Sequence, residues 1–181
     1  PADPVTTPSL LASSVAEDTA STIPEDAPST VTEAEWASIQ EQVRQAEYYL
    51  TWHAPTAAHV APNRAHGWHT TFGATGVQVT PRTPSPTGED WRWTLSLRAY
   101  GYAGDLHPVG VPVQTSVEDN RFEYQYESRN LRIYEWYVND ERGLEQGFTL
   151  DSPPRPGRER GSGDKSLVLE MALETNLTPD L

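Results

Sequence analysis

The 181-residue chain contains no cysteine, which excludes disulfides, thiolate catalysis and Cys-ligated zinc or iron–sulfur centres. Positive charge is also scarce: 13 Lys and Arg stand against 26 Asp and Glu, a formal net charge of −13. A chain so poor in cations cannot neutralise a phosphate backbone or an anionic lipid surface, which argues against nucleic acid and membranes as partners. No apolar run approaches the roughly 20 residues of a helical membrane span. The Gly-x-Ser-x-Gly nucleophile elbow and the Gly-x-x-x-x-Gly-Lys phosphate loop are both missing. The expectation is a binding or structural module with no catalytic residues, not an enzyme.

What is present divides in two. Residues 1–32 hold five of the 16 prolines and the acids Asp3, Glu17, Asp18, Glu25 and Asp26, with no Lys, Arg or aromatic residue. Such a segment buries too little apolar surface to offset its ordering entropy, so it is predicted to be an extended tail. Its apolar stretch, Leu10 and Leu11 through Val15, is the expected grip on a partner. The Pro1-Ala2-Asp3 start carries no basic or apolar leader and reads as a mature or engineered terminus. Residues 33–181 are predicted to form one β-rich domain, whose length of about 150 residues allows a real core.

Within that domain, Thr32 followed by Glu35 is a capping box, and Trp36, Ile39, Val43, Ala46 and Leu50 recur at helical spacing. A helix over 33–52 is predicted, packed by its apolar stripe against the rest. Strands follow. Trp91, Trp93, Leu95, Leu97 and Ala99 alternate with Arg92, Thr94, Ser96, Arg98 and Tyr100, and Arg121–Glu127 and Ser166–Glu174 alternate likewise. Arg132–Asn139 is aromatic on both faces. Shorter strands are expected at Thr70–Phe72, Val77–Pro81, Val109–Val117 and Gly147–Leu150. Turn residues separate these runs, so the fold class is mainly β, an antiparallel sandwich or barrel-like domain with one N-terminal amphipathic helix.

Four of the five histidines, His53, His59, His66 and His69, fall within 17 residues. Their surroundings do not look helical and no carboxylate lies among them, so hydrogen-bonding histidines are expected and no metal site. Acids cluster at Glu118–Glu127 and Glu135–Glu145, where a hydrolase would need a carboxyl pair across a cleft. No cofactor is expected: the acidic composition suits calcium, but the chain lacks the Asp-x-Asp-x-Asp-Gly ligand loop. Most of the six Trp, eight Tyr and three Phe are expected in the core. Tyr100, Tyr102 and Tyr134, beside polar neighbours, are the expected contacts if a glycan binds.

The segments Ala61-Pro62-Asn63-Arg64, Tyr134-Glu135-Trp136-Tyr137-Val138-Asn139 and Gly143-Leu144-Glu145-Gln146-Gly147-Phe148-Thr149 resemble an N-terminal module of large bacterial secreted or cell-surface proteins. In that group the module often precedes β-propeller repeats of the FG-GAP or SBBP kind. The resemblance covers roughly residues 33–181. It implies an extracellular or cell-surface location and no catalytic residues.

Read on their own chemistry, Asn63, Arg64, Glu135, Glu145 and Gln146 are expected to form a polar network that fixes strand register, with Arg64 meeting Glu135. The alternative is a ligand site built from the same residues. Gly143 and Gly147 are expected to supply turn and bulge geometry. The function expected is an extracellular, non-catalytic structural or adhesion module. Its partners are proteins, either other copies of itself or a larger surface assembly, engaged by strand addition from the tail. The alternative is a carbohydrate-binding module.

Overall fold

Alternation of apolar and polar side chains organises most of the described strands. The computed structural model describes residues 31–129, 131–154 and 166–178. Helix α1 (Glu33–Ala46) leads into strands β1 (Thr51–His53), β2 (Ala58–Asn63), β3 (Trp68–Phe72), β4 (Val77–Pro81), β5 (Trp93–Tyr102) and β6 (Asp105–Pro108). Strands β7 (Gln114–Glu118), β8 (Arg121–Ser128), β9 (Leu131–Asp140), β10 (Gly143–Leu150) and β11 (Leu167–Thr175) follow. The first sheet runs β1-β2-β3-β4-β5-β11, with β6 also on β5, and the second runs β10-β9-β8-β7. Every pairing is antiparallel. The sheets stay separate, so the domain is a sandwich-like β fold and not a barrel.

The core lies between them. From β8 and β9, Phe122, Tyr124, Tyr126, Ile133 and Tyr137 point inward and meet Ala61, Phe72, Val77, Leu97 and Tyr100 of the first sheet. Phe72 and Phe122 stack across the interface with centroids 4.5 Å apart. Buried phenols also need partners, and here they bridge the sheets. The Tyr124 hydroxyl lies 2.8 and 2.9 Å from the Gly73 and Gly76 carbonyl oxygens, and the Tyr100 hydroxyl donates to the Ser128 carbonyl at 3.1 Å.

Strand β5 departs from simple alternation. In its pairing with β11, Glu170 faces Ala99 while the next residue, Met171, faces Leu97, so Arg98 is an extra residue on β5. An inserted residue reverses which side chains point inward. Tyr100 therefore turns into the core, 2% exposed, although period-two reading sets it on the polar face with Arg98.

Helix α1 corrects the expected packing. Its capping box forms as read: Thr32 Oγ1 accepts from the Glu35 backbone N–H at 3.2 Å, and the Glu35 carboxylate accepts from the Thr32 N–H at 2.8 Å. The helix stops at Ala46, short of residue 52, and none of its residues is buried. Trp36, Ile39 and Val43 are all exposed. The tail, residues 1–32, lies outside the described residues except for Val31 and Thr32. No helix among the described residues is long and apolar enough to cross a membrane. The strand expected over Val109–Val117 is confined to β7, while β1, β2 and β6 form where no strand, or only loop, was expected.

Candidate functional site

The first sheet has more strands than the second, and the mismatch leaves apolar surface open. Among the described residues strand β11 forms one edge of the first sheet, with β5 as its only neighbour. Its inward-facing residues are Leu167, Leu169, Met171, Leu173 and Thr175. Leu169 and Met171 pack on the core, but Leu173 is 62% exposed and Leu167 44%. Leu173 and Thr175 lie opposite Leu95 and Trp93 in the strand pairing. With Leu177 and Thr178 these four line an apolar groove of about 540 Å³. A nine-residue edge strand with unpaired backbone groups beside apolar sockets can accept an extended segment through main-chain hydrogen bonds.

Polar chemistry gathers in the interior. Glu135 is fully buried on β9. Its Oε1 accepts from the Tyr137 hydroxyl at 2.5 Å and from Gln146 Nε2 at 2.8 Å, and its Oε2 accepts from the Tyr126 hydroxyl at 2.8 Å. Burial, and then the charge of Glu135, raise the pKa of Tyr124, Tyr126 and Tyr137 well above the ordinary phenol value. These phenols therefore stay protonated and donate. Three neutral donors satisfy the carboxylate, and among the described residues no basic side chain hydrogen-bonds it, so the arrangement holds β8, β9 and β10 together.

A second knot joins the sheets at one end. Asn63 Nδ2 donates to Asn139 Oδ1 at 2.9 Å and to the Asp140 carbonyl at 2.8 Å, while Asn139 Nδ2 donates to the Pro62 and Tyr48 carbonyls at 2.9 and 3.0 Å. Both residues are fully buried. Asn139 was not among the residues singled out in the sequence, although its position is legible there. It continues the inward series Leu131, Ile133, Glu135, Tyr137, and a polar residue at that parity must find partners inside.

The five residues expected in one network thus separate. Glu135 and Gln146 bond each other, and Asn63 belongs to the Asn139 knot. Arg64 does not reach Glu135: its guanidinium is exposed and donates to Glu47 at 3.2 Å, just beyond α1. Glu145 is also exposed, 4.0 Å from Arg142. Gly143, with φ of +133°, serves the β9–β10 turn. Gly147 makes no bulge, since β9–β10 register is continuous through it. Its missing Cβ instead seats the indole of Trp136, which lies against it, and the Arg121 guanidinium sits 4.7 Å over the same ring.

Tyr100, Tyr102 and Tyr134 do not form one platform. Tyr100 is buried, Tyr102 lies on β5 of the first sheet, and Tyr134 lies on the outer face of the second. The histidines also disperse into local contacts. His53 Nδ1 is 2.8 Å from Thr56 Oγ1, His59 stands edge-on to Trp52, and His66 stacks on Trp68 at 4.7 Å. Burial, with Arg82 nearby, lowers the pKa of His69. Among the described residues no group of three or more His, Asp or Glu is placed to hold a metal ion. Leu10, Leu11 and Val15 lie outside the described residues.

Comparison of the chain with known protein families, curated proteins and solved structures finds no match.

Proposed function

We propose that this protein is a non-catalytic assembly module that associates with other copies of itself by accepting an extended segment on a free sheet edge. The observation that carries the reading is β11, a nine-residue edge strand with Leu167 exposed at one end and Leu173 exposed beside an open apolar groove at the other. Monomeric folds usually blunt such edges with charge, proline or a bulge turned outward. Here Glu170 and Glu174 are the only charges on the strand, and its inward row is Leu, Leu, Met, Leu and Thr. The buried acid of the domain, Glu135, has its oxygens occupied by three donors, which suits a scaffold and not a proton-transfer site. Location at a bacterial surface rests on the sequence resemblance alone. Sedimentation velocity on the full chain tests the reading: the mass is expected to rise with protein concentration, and a monomer at every concentration and salt level overturns it.

A further inference from the structure

We infer that the segment accepted by β11 is Ser9–Ala16 of a second copy of this chain, an inference that rests on the assembly reading above. Four observations converge. The first is the choice of edge. Of the five strands with an open edge among the described residues, β1 has three residues, β6 four and β7 five, too short for a stable ladder, and β10, eight residues long, borders a groove lined by the charged Asp140, Arg142 and Glu145. Among the described residues only β11 combines nine residues with a bordering apolar groove.

The second is the chemistry of the donor. Residues 1–30 contain prolines at 1, 4, 8, 24 and 28, and proline cannot contribute an N–H to a ladder. Between Pro8 and Pro24, Ser9–Ala16 carries no charge, whereas Glu17 and Asp18 follow at once. An uncharged strand lies beside Glu170 and Glu174 without like-charge repulsion. In an extended chain Leu11 and Val15 share one face, the spacing needed to enter the groove beside Leu173 and to cover Leu169.

The third is the route of the chain. Ser9–Ala16 precedes α1, whose 14 residues make a rod about 21 Å long with none of them buried. The helix leads into β1, and β1 and β11 terminate opposite ends of the first sheet, five strand steps apart, about 24 Å. The segment is thus attached to the domain at the edge opposite β11, and the sixteen residues 17–32 that precede α1 are long enough to carry it to the edge of a neighbouring copy. The fourth is symmetry. Donor and acceptor are different surfaces, so the contact is heterologous and leaves a free donor at one end and a free edge at the other, which propagates into open chains.

The test uses full-length variants in which each end is disabled separately. Leu11→Asp with Val15→Asp disables the donor, and Leu173→Asp disables the acceptor. Leu177→Asp, beyond the strand, serves as a second acceptor variant should Leu173→Asp lose its β-sheet circular dichroism. Each variant is expected to weaken self-association by about thirtyfold or more, as loss of a central anchor does. An equimolar mixture of donor-disabled and acceptor-disabled chains is expected to recover a heterodimer that grows no further, because each partner keeps one working end. Association unchanged in the donor variant but weakened in the acceptor variant overturns the inference while leaving the assembly reading standing; association unchanged in both, or no heterodimer from the mixture, overturns the inference and β11 as acceptor together. A monomeric parent chain overturns the assembly reading itself. A monomer whose β11 amides lose exchange protection when Leu11 and Val15 are replaced assigns the segment to its own edge and rules out the second copy.

Discussion

Asn63 and Asn139, 76 residues apart in sequence, share a 2.9 Å hydrogen bond at the closed end of the sandwich. Through it β2 of the first sheet, β9 of the second and the Tyr48 carbonyl just after α1 are fixed together. Replacing Asn139 by Ala removes the donor to the Pro62 and Tyr48 carbonyls and one of the two acceptors of the Asn63 amide, which keeps its bond to the Asp140 carbonyl. Each such orphan costs on the order of 1–3 kcal/mol; with partial relaxation the net loss is expected near 3 kcal/mol. Urea unfolding checks this, as a lower midpoint at unchanged slope. A loss below about 1 kcal/mol means that water or backbone movement satisfies these groups.

The Trp136–Gly147 seat gives a reciprocal prediction. A Cβ at residue 147 runs into the indole ring, and forcing the ring aside costs about 1–3 kcal/mol. Gly147→Ala is therefore expected to destabilise the domain and to change the Trp emission. In a Trp136→Ala background the same substitution is expected to be close to neutral. A Gly147→Ala cost that persists without the indole points to the backbone instead.

Much of the fold was legible because the strands alternate, and the departures have physical causes. The Ser166–Glu174 run reads correctly as a strand, yet alternation cannot tell how far the opposing sheet reaches. Leu173 looks as buried as Leu169 in sequence and is not. Tyr100 is misplaced by the residue inserted at Arg98, which nothing in the local composition marks. An inward carboxylate normally calls for a cation, which points to Arg64 as the partner of Glu135, whereas Tyr126, Tyr137 and Gln146 meet that need with neutral donors. The apolar stripe of α1 gives a correct helix and a wrong environment, since amphipathicity shows which face wants burial and not whether the chain buries it.

That helix should behave independently of the domain. Thr32→Ala removes the cap acceptor and breaks the capping box, at about 1 kcal/mol of local helix stability. Because no α1 residue is buried, the expected result is a smaller helical circular dichroism signal with an unchanged thermal midpoint for the sheets. A midpoint that falls together with the helical signal would mean that α1 packs on the domain in solution.

The buried phenols set an alkaline limit on stability. Tyr124, Tyr126 and Tyr137 have pKa values raised by burial and then by the Glu135 charge, while an unfolded tyrosine titrates near 10.0. Below that pH both states hold the protons and the contribution is fully present. As the pH rises past about 10 the unfolded chain gives up protons that the folded chain retains, so unfolding becomes progressively easier. Tyrosinate absorbance from these three side chains is expected to appear together with loss of the β-sheet signal, not before it. Tyr126→Phe and Tyr137→Phe remove two of the groups that drive this transition. Each is expected to flatten the fall of stability above pH 10 while lowering stability at neutral pH, because Glu135 then loses a donor in a site with no cation to replace it. Titration of these phenols inside a chain that keeps its native circular dichroism would show that Glu135 and its donors are open to solvent.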